Sequence, residues 1–541
     1  MTEKTETDFD AIVVGAGFAG IYMLHKLRDE LGFTTRAFEK AGGVGGTWFW
    51  NRYPGAMSDV ETFVYRYSFD KEILQEWQWK TRYTPQADIL AYLEAVVEKH
   101  DLAKDIQLDT SVESAVFDEV RGIWTVTTGD GETFTARYVV TALGPLSKTN
   151  LPDIKGRDSF EGPLVHTGAW PEGLTLEGRR VGVIGTGSTG TQFVCEASKT
   201  ARHLTVFQRS PQYVVPSGNG PVDGEHVAGI KARYHEIWDQ VRNSRVGCGF
   251  EESEVPAMSV SEEERRRVFQ ESWDLGNGFR FMFGTFSDIA VDPAANHAAA
   301  EFIRSKIKEI VKDPETARKL SPTDYYAKRP ICNEGYYEAF NRDNVTLVSV
   351  KENPIREITP TGVITEDGVE HELDVLVFAT GFEAVEGSYN QIDIRGRAGE
   401  TFQQHWEDGP TSYLGVAVSG FPNLFMVFGP NSAFSNLPPG IETHVEWITE
   451  LIQTVEEGGR STIEATRSAE DAWTVTCQQL ADYTLFSKID SWIFGANIPG
   501  KKKRVLFYFG GLSAYRQKLR EVADADYDGF VLQDITAPVP A

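Results

Sequence analysis

The feature that most constrains this chain is a strand–turn–helix pattern that occurs twice. Residues 10–20 read DAIVVGAGFAG. Positions 11–14 form a short apolar run rich in β-branched residues, as in a parallel strand buried on both faces. Gly15, Gly17 and Gly20 follow in GxGxxG spacing, and 21–31 carries helical periodicity. In that context Gly15 permits a tight turn, Gly17 lets a pyrophosphate approach the backbone, and Gly20 lets helix and strand pack closely. The helix N-terminus offers N–H groups and a positive dipole end to the phosphates. Nineteen residues after Gly20, at the end of a strand predicted over 34–38, stands Glu39, an acid placed to accept ribose hydroxyls.

The pattern recurs 170 residues later. An apolar strand over 180–184 precedes Gly185, Gly187 and Gly190 in GTGSTG, and 191–199 is helical. The next strand, 204–207, ends in Gln208, Arg209 and Ser210, with no acid. A carboxylate there would repel a 2′-phosphate of charge about −1.5 to −2. Arg209 would instead hold it through charge-assisted hydrogen bonds worth about 1.5–3 kcal/mol, or about 10- to 150-fold in favour of NADPH over NADH. The first unit therefore reads as an FAD site and the second as an NADPH site.

A second repeat supports this pairing. Residues 115–137 read as a β-hairpin turning at Gly129, Asp130 and Gly131, followed by an apolar strand to Leu143 and Gly144. Residues 355–372 repeat it, turning at Asp367-Gly368, and lead into VLVFATG at 375–381. The strand ends are 237 residues apart, so the second unit carries an insertion of 67. Helix-like stretches at 226–244, 261–275 and 294–320 locate it, with Ser261 and Glu264 spaced as a capping box. Glu262 to Glu264 and Arg265 to Arg267 read as a solvated helix face. The fold class is α/β: two Rossmann-like dinucleotide-binding domains, for FAD and NADPH, with a helical subdomain inserted in the NADPH domain. The predicted boundaries are 1–140 and 388–541 for the FAD domain, 152–223 and 333–380 for the NADPH domain, and 224–332 for the helical insert. Linkers span 141–151 and 381–387.

Composition excludes several partners. With 53 Lys+Arg against 79 Asp+Glu, a net charge of −26 argues against nucleic acid and anionic membrane surfaces. Cys195, Cys248, Cys332 and Cys477 form no CxxC, and the ten histidines show no HExxH, so no metal site is expected. The polar, acidic residues 1–10 lack signal-peptide character, and no apolar run reaches membrane-spanning length. These readings place the chain in a reduced cytoplasm, as a monomer.

Three further motifs narrow the function: GGTWFWNRYPGAMSD at 45–59, FEGPLVHTGAWP at 160–171 and DVLVFATG at 374–381. With the two GxGxxG turns they resemble the Type I Baeyer–Villiger monooxygenases over nearly the whole chain, most of all the cyclohexanone monooxygenase branch, including SWIFGANIPGKK at 491–502. The resemblance implies that NADPH reduces FAD, that O2 adds to the reduced flavin at C4a, and that the resulting peroxide attacks a ketone. An ester or lactone follows through a tetrahedral adduct, with sulfoxidation as a side activity.

The same resemblance assigns roles. Arg329, in YAKRP at 326–330, is at the position of the catalytic arginine, and Asp59 at that of the acid that orients it. An arginine in this site is a charge and a donor, never a base. Lys328 and Arg209 would bind the 2′-phosphate; Thr186, Gly187, Ser188, Thr189, Gln192 and Ser210 would line the NADPH loop. Phe18, Lys40, Gly46, Thr47, Trp48, Tyr53, Tyr65, Thr380 and Gly381 are further implied cofactor contacts. Trp492, in a mobile loop at about 487–504, would close over NADP+ and substrate. His166 reads as an ordering contact of the crossover rather than a catalyst. An apolar substrate pocket would be lined by Leu143, Pro145, Leu146, Cys248, Phe279, Phe428, Phe434, Ser435, Leu437, Trp492 and Phe507, each of which reads equally well as plain core. Pro145, Cys248 and Phe428 depart from the family's usual Leu, aromatic and smaller aliphatic. Two alternatives stay open: an N- or S-oxygenating class B flavin monooxygenase, against which Trp170-Pro171 counts, and a flavin electron-transfer protein without oxygenation.

Overall fold

The computed structural model describes residues 6–533; residues 1–5 of the acidic start and the tail from 534 lie outside them. Among the described residues the strand Phe9–Val14 sits inside an eight-stranded sheet, parallel to Thr35–Phe38 on one side and Thr133–Thr141 on the other. Ala11 and Val13 pack into one hydrophobic cluster, Ile12 and Val14 into another. A strand buried on both faces in this way must read as continuous apolar sequence rather than alternation. Asp393–Arg395 and Leu424–Met426 join the same sheet, so the chain returns to it after building the second.

The second sheet has five parallel strands in the order Val345–Ser349, His203–Gln208, Arg180–Ile184, Val375–Phe378 and Leu164–His166. Between its halves lie the helices Gly224–Ala232, Tyr234–Asn243, Glu262–Leu275, Pro293–Ile310 and Pro314–Leu320. Val214 and Val215 pair with Ile331 and Cys332 at the two ends of this insert.

The two crossovers run side by side. Lys148–Thr149 pairs antiparallel with Phe382–Glu383, Asn150 N–H donates to Gly381 O at 2.9 Å, and Val385 N–H donates to Pro145 O at 2.8 Å. The link between the sheets is therefore a hydrogen-bonded ribbon.

Local expectations are corrected at several points. The hairpin read at 115–137 is three antiparallel strands, Val112–Asp118, Ile123–Thr128 and Thr133–Thr141, the last running unbroken into the apolar segment. Its copy at 355–372 is likewise three strands. The helix expected over 21–31 starts at Phe18 and ends in a π-helical turn, Lys26–Glu30. The stretch 226–244 breaks at Arg233, and 294–320 breaks where Asp313 caps a new helix with Pro314 in its first turn. Ser261 accepts from Glu264 N–H at 3.2 Å, the first half of the capping box.

Candidate functional site

The two glycine turns are built alike. Gly15 and Gly185 have φ of +105° and +111°, in the left-handed half of conformational space that favours glycine. A Cβ at Gly20 would stand 1.8 Å from Gly15 O, and one at Gly190 2.2 Å from Gly185 O, so only glycine lets each helix sit on its strand. No side chain caps the helix that follows Gly17 or Gly187. Space beside Gly187 is open, while Gly17 faces Gly46, where an added Cβ would lie 3.0 Å from Gly17 Cα. Uncapped N–H groups, glycine-lined clearance and a carboxylate at the next strand end fit a dinucleotide in the first unit. Glu39 is buried; its Oε2 accepts from Ala16 N–H at 2.8 Å and its Oε1 from Ala41 N–H at 2.9 Å. Ionised, it retains lone pairs for ribose hydroxyls.

Around that turn, Trp48 is buried and donates from Nε1 to Tyr65 Oη at 3.2 Å, and the Phe18 ring meets Tyr65 edge-on at 5.6 Å. Lys40 lies over the Trp50 ring. Thr47 opens the short helix Thr47–Trp50 behind Gly46.

The second unit has a basic end. Arg209 is exposed. Lys328 is 3.6 Å from Asp324. Burial lowers the Lys328 pKa first, and the Arg209 charge adds to the lowering. Two cations near enough to repel, with Pro211, Gln212 and Tyr213 lining a cleft beside Lys328, fit a bound polyanion. Thr186 Oγ1 donates to Ser210 O at 3.1 Å, closing the loop between the two strands. Thr380 Oγ1 donates to Asn150 O at 2.5 Å, so Thr380 and Gly381 belong to the crossover ribbon.

Three distant segments converge on one ion pair. Arg329 Nη2 donates to Asp59 Oδ1 at 2.7 Å and Nη1 to Oδ2, a bidentate fork. Ser188 Oγ, in the second glycine loop, approaches Asp59 Oδ2 at 3.5 Å. The Phe279 ring lies 5.3 Å from the guanidinium carbon. Burial works against the Arg329 charge, but Asp59 outweighs it and holds the pKa above the ordinary arginine value. Cys332 Sγ is 3.8 Å from Asp59 O, and burial pushes its thiol up to about 12. Burial raises Cys248 well above the usual range too, so neither thiol competes as an anion.

Asp59 is held by the second unit. Tyr53 Oη donates to Gln192 Oε1 at 2.7 Å, and Gln192 Nε2 donates to Met57 O at 3.0 Å. A Cβ at Gly55 would lie 2.7 Å from Gln192 O, so the turn before Asp59 rests directly on the helix Ser188–Thr200.

The candidate pocket residues fall into groups. Phe434, Phe507 and Trp492 form one aromatic cluster, with Phe434–Phe507 and Trp492–Phe507 centroids at 5.8 Å. Arg329, Asp59 and Phe279 form another, with Cys248 close enough to feel both charges. Asn436 joins them: flanked by Ser435 and Leu437, it donates from N to Val246 O at 2.8 Å and from Nδ2 to Gly247 O at 3.0 Å, next to Cys248. Phe428 follows the carboxyl end of the strand Leu424–Met426 and is buried. Leu143 stands apart, half-buried against the cluster of Ile12 and Trp406, whereas Leu146 packs on the main core. Pro145 O is taken up by Val385 N–H in the ribbon.

His166 accepts from Gly168 N–H at Nδ1, so its Nε2–H donates to Gly381 O at 3.1 Å. Burial lowers its pKa to about 4, keeping it neutral. Sequence reasoning missed the fastening of the loop at 487–504: Asn497 Nδ2 donates to Phe382 O at 2.9 Å, and Lys501 pairs with Glu383 and Glu386. The lysine run was visible there as a loop edge, but the carboxylate partners of Lys501 lie more than a hundred residues away. Phe486 and Phe509, which extend the Phe434 cluster, were missed for lack of any motif.

Residues 9–221 match the family described as pyridine nucleotide-disulphide oxidoreductase. Cys195 is the one cysteine in that span, and it is a free, buried thiol. The chain is 68% identical over 532 residues to a phenazine N-monooxygenase of Lysobacter antibioticus, covering 98% of each chain. It is 55% identical over 539 residues to a Baeyer–Villiger monooxygenase of Pseudooceanicola batsensis, covering 99% of each. The solved structure of cyclohexanone monooxygenase from Rhodococcus sp. Phi1 bound to NADP+ superposes with a TM-score of 0.96 at 59% identity, over 97% of this chain and 99% of that one.

Proposed function

This chain belongs to the Type I Baeyer–Villiger monooxygenases, and we propose that it oxidises its ketone beside the Arg329–Asp59 pair. It is an FAD- and NADPH-dependent enzyme that inserts one oxygen of O2 next to a ketone carbonyl, giving an ester or lactone. When bound, FAD takes hydride from NADPH and supplies the activated oxygen.

The bidentate pair carries the reading of the site. Arg329 supplies a fixed positive donor that cannot lose its proton and would stabilise the oxygen on which negative charge develops. Asp59 holds the guanidinium in one orientation, and burial strengthens its field. Glu39 would hold the FAD ribose, and Arg209 with Lys328 the 2′-phosphate of NADPH. Trp492 and the loop at 487–504 would exclude water while fastened to the ribbon through Asn497 and Lys501. His166 orients the start of the second crossover. We assign 1–140 with 388–541 to FAD, 152–223 with 333–380 to NADPH, and 224–332 to the helical insert, and infer a monomer in a reducing cytoplasm, where four free thiols are at home. Purified protein given NADPH, air and cyclohexanone should form ε-caprolactone in proportion to NADPH consumed. NADPH loss without lactone would refute ketone oxidation.

One observation favours a second substrate class. At 68%, identity to the phenazine N-monooxygenase exceeds the 55% to the Baeyer–Villiger enzyme. The Phe434, Phe507 and Trp492 rings suit a flat aromatic heterocycle as well as a cyclic ketone. Phenazine supplied in place of cyclohexanone should then give an N-oxide, identified by mass; phenazine recovered unchanged rejects this reading.

A further inference from the structure

Phe428 is held in a conformation that a bulky residue avoids. Its φ is +63°, and it follows the parallel strand Leu424–Met426 at the carboxyl edge of the first sheet. In open α/β sheets that edge is where ligands bind, and left-handed backbone at a large side chain persists only where its surroundings over-determine it. Here three groups do so. The backbone N–H of Phe428 donates to His444 Nδ1 at 3.2 Å. The Phe428 ring lies tilted against the imidazole at 5.7 Å. The ring also rests on Gly440, where a Cβ would be 2.8 Å from Phe428 Cε2 and 3.4 Å from Ser435 Oγ. Gly440 and His444 are one turn apart on the helix Leu437–Glu457.

His444 is itself locked. It is fully buried. With Nδ1 accepting, Nε2–H donates to Tyr515 Oη at 2.8 Å, and Tyr515 O–H donates to Leu414 O. Leu414 is the same kind of exception, with φ +57°. Gly415 and Gly429, which follow the two strained residues, are joined by an N–H to carbonyl bond of 3.0 Å. A buried relay, Leu414–Tyr515–His444–Phe428, thus ties two strained turns together, and burial keeps the imidazole neutral.

We propose that His444 is a positioning residue for substrate selection: through the Phe428 N–H it fixes that ring against Gly440 and so sets one wall of the substrate pocket. The inference rests on the ketone reading above; the Phe428–Gly440 contact lies beside Ser435, whose neighbour Asn436 donates to Gly247 O next to Cys248.

The test uses FAD-loaded enzyme and 4-methylcyclohexanone, whose two mirror-image lactones separate by chiral gas chromatography. H444L removes the acceptor for the Phe428 N–H; H444N retains an acceptor oxygen near the Nδ1 position. H444L should change the lactone enantiomer ratio at least about threefold and raise both KM and the ketone Kd, the latter read from the absorbance of the oxidised flavin, while NADPH-driven flavin reduction stays within about twofold. H444N should stay near the parent ratio. G440A, which pushes the ring without touching the histidine, should also move the ratio. If H444L does not fold, Y515F, which removes the hydroxyl that accepts from His444 Nε2–H and donates to Leu414 O but leaves the Phe428 N–H bond to His444 in place, takes its place with a smaller shift. A parent-like ratio and Kd in folded H444L, or in Y515F where that is the variant read, overturns the inference, as does an unchanged ratio in G440A. A parent enzyme that makes no lactone overturns the functional reading and this inference with it.

Discussion

Asp59 and Arg329, 270 residues apart in the chain, meet in a two-pronged ion pair whose Nη2–Oδ1 arm is 2.7 Å. Asp59 rides on the turn at 53–59 that lies against the second unit's helix, and Arg329 ends the helical insert. The pair therefore forms only when both glycine-turn units and the insert are folded together.

Substituting Arg329 should show this directly. R329A is expected to lose about 10²–10³ in kcat for lactone, the usual effect of deleting one donor to a developing oxyanion. NADPH binding to the 2′-phosphate site should remain. D59A should lose less activity than R329A, and it leaves a half-buried guanidinium, its side chain 26% exposed, unpaired, a defect of up to about 3 kcal/mol. Steady-state kinetics beside thermal melts separate the two effects; equal losses of kcat in both variants would contradict this division.

The basic end of the second unit should govern cofactor choice. R209A is expected to raise KM for NADPH about 10- to 150-fold and leave NADH nearly unchanged. Lys328, whose proton affinity burial already lowers, should regain it when the cofactor's 2′-phosphate is bound. Parallel titrations with the two nicotinamide cofactors check this; equal losses for both would place the arginine elsewhere.

His166 should act through the ribbon and not through its proton. H166A is expected to raise NADPH consumed per lactone severalfold while the kcat profile between pH 6 and 9 keeps its shape. Its folded pKa, about 4, lies below the usual 6.5, so its contribution to stability is present above pH 6.5 and lost as pH falls towards 4. Product-to-NADPH ratios and melts over that range test both statements.

Glu442 should give the opposite pH dependence. It is buried on the helix Leu437–Glu457, accepting from Ser68 and Phe69 N–H. Burial, with the charge of Glu446, pushes its pKa up to about 7. The folded chain therefore keeps a proton that the unfolded chain releases near 4.5, and this group's contribution falls as pH rises from 4.5 to 7, by at most about 3 kcal/mol. E442Q should flatten that part of the Tm profile; an unchanged slope would mean the carboxylate is ionised throughout.

Much of this molecule could be read before folding. Gly15, Gly17, Gly20 and Glu39 lie within a single strand–helix–strand unit, as do Gly185, Gly187, Gly190 and Arg209, and their spacing reflects sterics within about thirty residues. Asp59 and Arg329 could be singled out by motif. That they form a fork, with Ser188 and Phe279 beside them, could not, because no local pattern encodes a contact across 270 residues. The unbroken strand Thr133–Thr141 was hidden because its exposed start alternates and its buried end does not. Leu143 looked like its pocket neighbours, and only the sheet decided which face it occupies. His444 carried no signal at all inside an amphipathic helix; a buried acceptor is recognisable only once the strained Phe428 N–H that needs it has been brought there. Local sterics and periodicity determined the units, and packing between distant segments decided the site, because the desolvation that gives each buried polar group its partner exists only in the assembled fold.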